Sequence, residues 1–130
     1  MVLSGKTAIV TGASRGIGPY IAKTLAKQGV HINAVARSES GLQKTKSEIE
    51  LLGGSCNIYP FDLSNIEELE TLVTDIWSSH GPVQILVNNA GIEHYQHYDR
   101  ISKSEIPSIL HTNLHCPLEL SRAILPRMIG

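Results

Sequence analysis

A glycine-rich run occupies residues 11–18, which read T-G-A-S-R-G-I-G. A β-branched apolar run precedes it and apolar residues at helical spacing follow it, so the turn joins a strand to a helix. This is where a doubly wound fold binds dinucleotide phosphates, although the glycine spacing differs from G-x-G-x-x-G. Gly12 permits the tight turn, Gly16 lets the backbone approach a pyrophosphate, and Gly18 lets the helix pack closely on the strand. Helix N-terminal amides would then face the anion.

Two arginines lie where they could select the nucleotide. Arg37 directly follows the second apolar run and precedes Ser38, at the place where a carboxylate usually binds the ribose 2′-hydroxyl of NAD. A guanidinium would instead bind a 2′-phosphate, and Arg15 could reach the same phosphate from the other side. Both could also be ordinary surface charges. Two arginines at these positions favour NADP(H) over NAD(H).

Other polar residues offer weaker chemistry. His111, His115 and Glu119 recur every four residues and could ligate a metal from one helical face. A solvated or subunit-facing stripe is the favoured interpretation, so no metal site is predicted. A loop with two histidines and two tyrosines either borders a substrate pocket or is a surface loop; these residues are His94, Tyr95, His97 and Tyr98.

The elements that must position these residues alternate between short apolar and longer amphipathic runs. Strands are predicted at 7–11, 30–36, 56–61 and 83–87, and helices at 17–28, from Ser38 or Ser40 to 52, from 64 to about 81, and from 102 toward 124. Capping boxes are predicted at Ser64 with Glu67 and at Ser102 with Glu105. Gly29 is expected to end the first helix, and the Gly53-Gly54 pair the second. The fourth strand is expected to be buried on both faces. The third helix is expected to carry one apolar stripe, made of Ile66, Leu69, Leu72, Val73 and Ile76. Pro107 is expected to make the first turn of the last helix irregular. The alternation predicts an α/β fold with a Rossmann-like, doubly wound parallel sheet, truncated after about four strands.

The motifs and their order resemble the short-chain dehydrogenase/reductase family. Residues 11–18 resemble its T-G-x-x-x-G-x-G motif, and residues 88–91 resemble its N-N-A-G motif. Asp62 matches the acidic position that contacts adenine, and Asn113 has the spacing of the catalytic Asn. The resemblance runs from Lys6 to about Met128, so the chain is interpreted as the N-terminal portion of one NAD(P)-binding Rossmann domain. The residues predicted to bind the dinucleotide are Gly12, Ser14, Arg15, Gly16, Ile17, Gly18, Arg37, Ser38, Asp62, Leu63, Asn89, Ala90 and Gly91.

The resemblance implies an oxidoreductase that transfers hydride between a nicotinamide and a carbonyl or alcohol of unknown identity. A Ser, a Tyr and a Lys four residues after the Tyr complete the family's catalytic set, with the Asn supporting a water relay toward the Lys. None of the tyrosines is followed by such a lysine; they are Tyr20, Tyr59, Tyr95 and Tyr98. Only Asn113 matches a catalytic position, so we expect these 130 residues alone to be inactive.

The same truncation predicts an uncovered surface. The fourth strand is interior in the family, so residues 84–87 are expected to form an open apolar edge, and apolar faces of the last helix should lose their cover. We therefore expect a homo-oligomer or a partner chain at this edge. Three hypotheses follow: a fragment of an oxidoreductase, a non-catalytic NADP(H)-binding module, and a half-enzyme completed by a second polypeptide.

Composition excludes other classes of function. A net charge of -1 gives no general attraction to nucleic acid. No apolar run approaches the roughly 20 residues that span a bilayer. An apolar stretch follows almost directly after the first residues, so no signal peptide is expected. Cys56 and Cys116 form no C-x-x-C pair and are predicted to be buried thiols in a reducing compartment, the cytoplasm.

Overall fold

The protein is described by a computed structural model, which covers residues 2–91 and 98–130. Its strands are β1 (Thr7–Thr11), β2 (His31–Ala36), β3 (Cys56–Pro60) and β4 (Ile85–Val87). Its helices are α1 (Gly18–Lys27), α2 (Glu39–Leu51), α3 (Leu69–His80), α4 (Glu105–Leu110) and α5 (Cys116–Ile129). Two 3-10 turns (Ile66–Glu68 and Tyr98–Arg100) precede α3 and α4, and a π turn (His111–His115) joins α4 to α5.

The four strands form one parallel sheet in the order β3-β2-β1-β4. Thr7 of β1 is level with His31 of β2, and Ala8 is level with Ile85 of β4. All carboxyl ends therefore meet at one edge of the sheet. The α/β fold with a parallel sheet is confirmed.

Alternate side chains along the strands enter two separate cores. On one face, Val10 and Ala34 pack against α1 and α2. On the other face, Ile9 and Val35 pack against α3 and α5. The period of two in a strand makes this division, and helices on both faces explain why β1 and β2 are apolar along nearly their whole length.

The glycine stops predicted for the first two helices are confirmed. Gly29 and Gly53 follow α1 and α2 with φ near +84° and +82°, a left-handed conformation that glycine adopts without strain. Ser38, one of the two predicted starts, is the N-cap of α2, and its Oγ accepts from the Gly41 amide at 3.1 Å.

The capping box at Ser64 is wrong. The Ser64 hydroxyl bonds to Oδ1 of Asp62 at 2.7 Å, so it caps no helix. The chain instead enters α3 through the 3-10 turn that begins at Ile66. Ile66 of the predicted apolar stripe lies in this turn and is half-buried. The rest of the stripe is buried; it consists of Leu69, Leu72, Val73 and Ile76.

The capping box at Ser102 is half correct. The Ser102 amide donates to the Glu105 carboxylate at 2.6 Å, but the Ser102 hydroxyl contacts that of Ser104. The last helix continues past residue 124 to Ile129, and its irregularity lies in the π turn and not in the first turn. Pro117 has no amide to donate to the Asn113 carbonyl four residues earlier, so the regular ladder is interrupted at this point.

The fourth strand differs most from its prediction. It has three residues instead of five, and they are half-buried instead of buried on both faces. In the described sheet β4 pairs only with β1, and its other edge has no strand beside it. The predicted open edge is therefore observed.

Candidate dinucleotide-binding cleft

A cleft of about 590 Å³ opens at the carboxyl edge of the sheet. All predicted dinucleotide-binding residues except Gly18 line it, together with Ala36, Phe61, Ser64, Ser108 and Thr112. Elements far apart in sequence contribute to it because parallel strands end at the same edge. The structure thus brings the predicted residues together, and their role in binding remains a prediction.

The glycine turn forms the floor of the cleft. Gly12 and Gly16 both have φ near +66°. A Cβ on Gly12 would lie 2.8 Å from Cα of Ala90, whereas a Cβ on Gly16 would meet no atom within 4 Å. Gly18 is buried beneath the turn, where a Cβ would overlap the carbonyl of Gly12. Gly12 and Gly18 are therefore needed for packing, while Gly16 leaves open space beside the backbone.

The open turn and the first turn of α1 fit a dinucleotide diphosphate. The first amides of a helix have no intrahelical acceptor and attract an anion. Pro19 is in the first turn of α1 and contributes no amide, so the donors must come from the other residues around the start of the helix. Bound there, a nicotinamide dinucleotide would supply hydride chemistry, and this chain's glycine turn would hold its phosphates.

Hydrogen bonds of Thr11 link the glycine turn to the N-N-A-G segment. Its hydroxyl accepts from the amides of Asn89 and Ala90, both at 3.0 Å, and donates to the Val87 carbonyl at 3.3 Å. The Asn89 side chain also donates to the Gly12 carbonyl at 3.3 Å. The predicted site residues do not include Thr11. Its place at the end of β1, where an exposed hydroxyl would be ordinary, gives no hint of this burial.

The wall beside β2 and β3 carries opposite charges. Arg37, Ser38 and Asp62 all line the cleft. Hydrogen bonds from the Ser64 hydroxyl and amide, followed by the positive charge of Arg37, lower the pKa of Asp62. Asp62 is therefore a carboxylate at neutral pH and can accept hydrogen bonds.

Asn113 lies in the π turn and does not line the cleft. Its Oδ1 is 3.6 Å from the position that a Cβ on Gly91 would take. Thr112 and Ser108 of the same helical segment line the cleft. Asn113 is thus next to the N-N-A-G segment, and its catalytic role remains a prediction from resemblance.

The remaining candidates do not form a second centre. The rings of His111 and His115 are 5.9 Å apart at the tilt of an edge contact, and Glu119 pairs with Arg122. Within residues 2–91 and 98–130, no three metal-binding side chains cluster. His94, Tyr95 and His97 lie outside the described residues, as does the side chain of Tyr98.

Both thiols are buried and free, as predicted for Cys56 and Cys116. Burial raises the pKa of each thiol to about 11, so the reactive thiolate is scarce at neutral pH. Among the helices that the structure describes, none has the length and apolar character to cross a membrane.

Comparison with known proteins identifies the family. The short chain dehydrogenase family model matches residues 6–130. The chain is 44% identical over 127 residues to the ketoacyl reductase HetN of Nostoc sp., covering 98% of this chain and 44% of that protein. It is 40% identical over 129 residues to the 3-oxoacyl-[acyl-carrier-protein] reductase FabG of Vibrio cholerae, covering 99% of this chain and 52% of that protein.

A solved structure has the same fold. A metagenomic short-chain oxidoreductase in complex with NADP superposes with a TM-score of 0.93 at 35% identity, covering 99% of this chain and 59% of the other. The chain spans about half the length of the curated relatives that it matches. This chain belongs to the short-chain dehydrogenase/reductase family, and the match includes the glycine turn and the N-N-A-G segment.

Proposed function

We propose that this chain is the NADP(H)-binding part of a short-chain oxidoreductase that transfers hydride between the nicotinamide and a carbonyl or alcohol. The observation that carries the proposal is the cleft itself. A glycine turn with open space at Gly16, the N-cap residue Ile17 of α1 and the N-N-A-G segment converge on one cavity. This convergence supports the proposal that the cavity holds a nicotinamide dinucleotide.

The preference for NADP(H) rests on charge at one end of the cleft. Arg15 and Arg37 both line it, from the glycine turn and from the end of β2. The end of β2 carries no carboxylate that would repel a 2′-phosphate. The metagenomic relative was crystallised with NADP, which agrees with this preference.

A titration tests the cofactor. NADPH and NADH are each added to the chain, and binding is followed by the fluorescence of the reduced nicotinamide. We expect tighter binding of NADPH, and we expect Arg37→Asp to reverse the order because a carboxylate repels the 2′-phosphate and can accept from the 2′-hydroxyl.

Arg127→Asp is the matched control, because Arg127 lies against Trp77 and Thr74 and does not line the cleft. It should leave the order unchanged. Equal or tighter binding of NADH by the unaltered chain would refute the preference.

We further propose that these 130 residues reduce no carbonyl by themselves. Asn113 is the one residue that matches the family's catalytic set, and no Tyr-x-x-x-Lys occurs in the sequence. Turnover would require a further segment that carries the family's Ser and Tyr-x-x-x-Lys. Turnover of NADPH by the isolated chain with any aldehyde or ketone would contradict this proposal.

The alternative is a non-catalytic NADP(H)-binding module or a half-enzyme completed by a second chain. The open edge of β4 and the exposed apolar residues of the last helix favour a covering surface, from a second copy or a partner. Adding a polypeptide that carries the family's remaining strands separates the alternatives. It should restore turnover for a half-enzyme and have no effect on a pure binding module. For the cell, the free buried thiols support a reducing compartment, which we propose is the cytoplasm.

A further inference from the structure

Thr45 lies in the middle of α2 and is only 2% exposed. Its hydroxyl is 2.8 Å from the carbonyl oxygen of Ala13, in the glycine turn. A longer contact of 3.2 Å reaches the Gly41 carbonyl, four residues earlier in the same helix. The single hydroxyl proton therefore lies between a local helical acceptor and the turn, and the shorter distance is to the turn.

The bond to Ala13 fixes the direction of the next amide. The only cis peptide in the described residues is Gly81–Pro82, so the peptide that joins Ala13 to Ser14 is trans. In a trans peptide the carbonyl and the following N–H point in opposite directions. Ala13 is completely buried and Ser14 lines the cleft. With the carbonyl held toward α2, the Ser14 amide points away from α2, in a residue that lines the cleft.

The surroundings support this orientation. Within the described part of the chain, the Ser14 amide donates to no carbonyl or side chain. The preceding peptide is held on both sides, because the Ala13 amide donates to Val35 at 3.4 Å and the Gly12 carbonyl accepts from Asn89. A free amide at a fixed angle is what an anion-binding turn requires.

The first turn of α2 presses against the same part of the glycine turn. A Cβ on Gly41 would lie 2.9 Å from Cβ of Ser14. The helix backbone at Gly41 is therefore in close contact with Ser14 itself, so the position of α2 limits the position of the turn. Thr45, one turn further along, adds the directed hydrogen bond that contact alone does not provide.

We propose that Thr45 is a positioning residue for the phosphate-binding turn. Its hydroxyl orients the Ala13–Ser14 peptide so that the Ser14 amide donates to a phosphate oxygen of the dinucleotide. The proposal rests on the proposed binding of NADP(H). A purely structural threonine, bonded to the Gly41 carbonyl, would stabilise α2 without affecting affinity.

Two variants of the chain separate these roles. Thr45→Val keeps the shape and removes the donor, while Thr45→Ser keeps the donor and removes a methyl group. We expect Thr45→Val to raise the Kd for NADPH about tenfold, the effect of one lost hydrogen bond to an oriented group. Thr45→Ser should stay within about twofold of the unaltered chain. Thr74→Val, the same exchange at a hydroxyl that contacts Arg127 on α5, should leave the Kd unchanged.

Nuclear magnetic resonance measures the Ser14 amide directly, and a change in stability alone does not alter this measurement. The Ser14 amide resonance of the unaltered chain and of Thr45→Ser should shift on addition of NADPH, and the shift should be much smaller in Thr45→Val. Thermal melting without nucleotide is recorded for each variant. A lower Tm with an unchanged Kd and an unchanged Ser14 shift would overturn the proposal.

If Thr45→Val does not fold, the unaltered chain still tests the proposal. A Ser14 resonance that does not move when NADPH binds overturns the proposal without any variant, and one that moves in the unaltered chain and in Thr45→Ser supports it. Failure of the unaltered chain to bind NADPH at all overturns the proposed function, and this inference with it. Binding by the unaltered chain with equal affinity in Thr45→Val overturns this inference alone.

Discussion

At the scale of single residues, His31 combines partial burial with a second histidine close by. Its Nδ1 is 2.7 Å from Oγ of Ser55, and its ring centroid is 5.2 Å from that of His80. Nε2 is buried and has no hydrogen-bond partner in the described part of the chain. Burial, followed by repulsion from His80, lowers the pKa of His31 from its ordinary value of 6.5. The folded chain therefore favours the neutral ring.

This depressed pKa gives a stability that depends on pH. Because the unfolded chain binds a proton more readily than the folded chain, the contribution is complete above about pH 6.5 and is lost as the pH falls through the lower, folded pKa. We expect His31→Gln to reduce the loss of urea stability between about pH 7.5 and 5.5. Urea unfolding at several pH values measures it.

His80→Gln is the matched comparison for this prediction. It removes the repulsion and leaves the burial, so it should reduce the acid loss only in part. An acid loss in His31→Gln equal to that of the unaltered chain would show that other groups carry the dependence.

At the scale of elements, the two glycines with the same φ have different tasks. Gly12 packs against the backbone of Ala90, while Gly16 faces open space. Gly16→Ala should cost about 1–2 kcal/mol of stability, from the left-handed conformation alone. Gly12→Ala should cost about 1–3 kcal/mol more, since the turn or the N-N-A-G segment must move. Urea unfolding measures both.

The affinity for NADPH should not follow the stability of these two variants. Gly16→Ala places a methyl group where the diphosphate is proposed to lie, so it should weaken NADPH binding even while the chain is folded. Equal stabilities of the two variants would contradict the packing role of Gly12, and undiminished affinity in Gly16→Ala would contradict the phosphate role of Gly16.

Local sequence signals predicted the helices and strands better than they predicted where those elements begin and end. The helical stripe at Leu69 and Ile76 and the glycine stops were correct because they depend on neighbouring residues. The capping box at Ser64 failed because Asp62, two residues earlier, competes for the same hydroxyl. The π turn was missed because Pro107 was weighed as the source of irregularity, whereas Pro117 breaks the ladder opposite Asn113.

At the scale of the whole molecule, two apolar surfaces lack a cover in the described structure. One is the edge of β4, which has no strand beyond it. The other is a row on the last helical segment with four-residue spacing, in which Leu118 is 62% exposed. The other members of this row are Ile106, Leu110 and Leu114. Together they favour association with a further protein surface.

We therefore expect the isolated chain to self-associate. Light scattering behind a size-exclusion column should give a mass above that of one chain, and Leu118→Glu with Leu114→Glu should lower it because buried charges oppose association. Glu67→Gln, on the exposed 3-10 turn before α3, is the control and should leave the mass unchanged. A monodisperse monomer with a cooperative melt would contradict the expectation.

The sequence by itself determined the order of strands and helices, the family, and the residues that meet at the cleft. It could do so because the glycine turn, Arg37, Asp62 and the N-N-A-G segment each follow a strand, and parallel strands bring their carboxyl ends together. Only the tertiary structure decided which residues hold the turn in shape. Thr11 bonds to groups 76–79 residues away, and Thr45 to one 32 residues away. A local sequence pattern does not reveal such partners, because a threonine with a buried hydroxyl and one with an exposed hydroxyl are the same residue in the sequence.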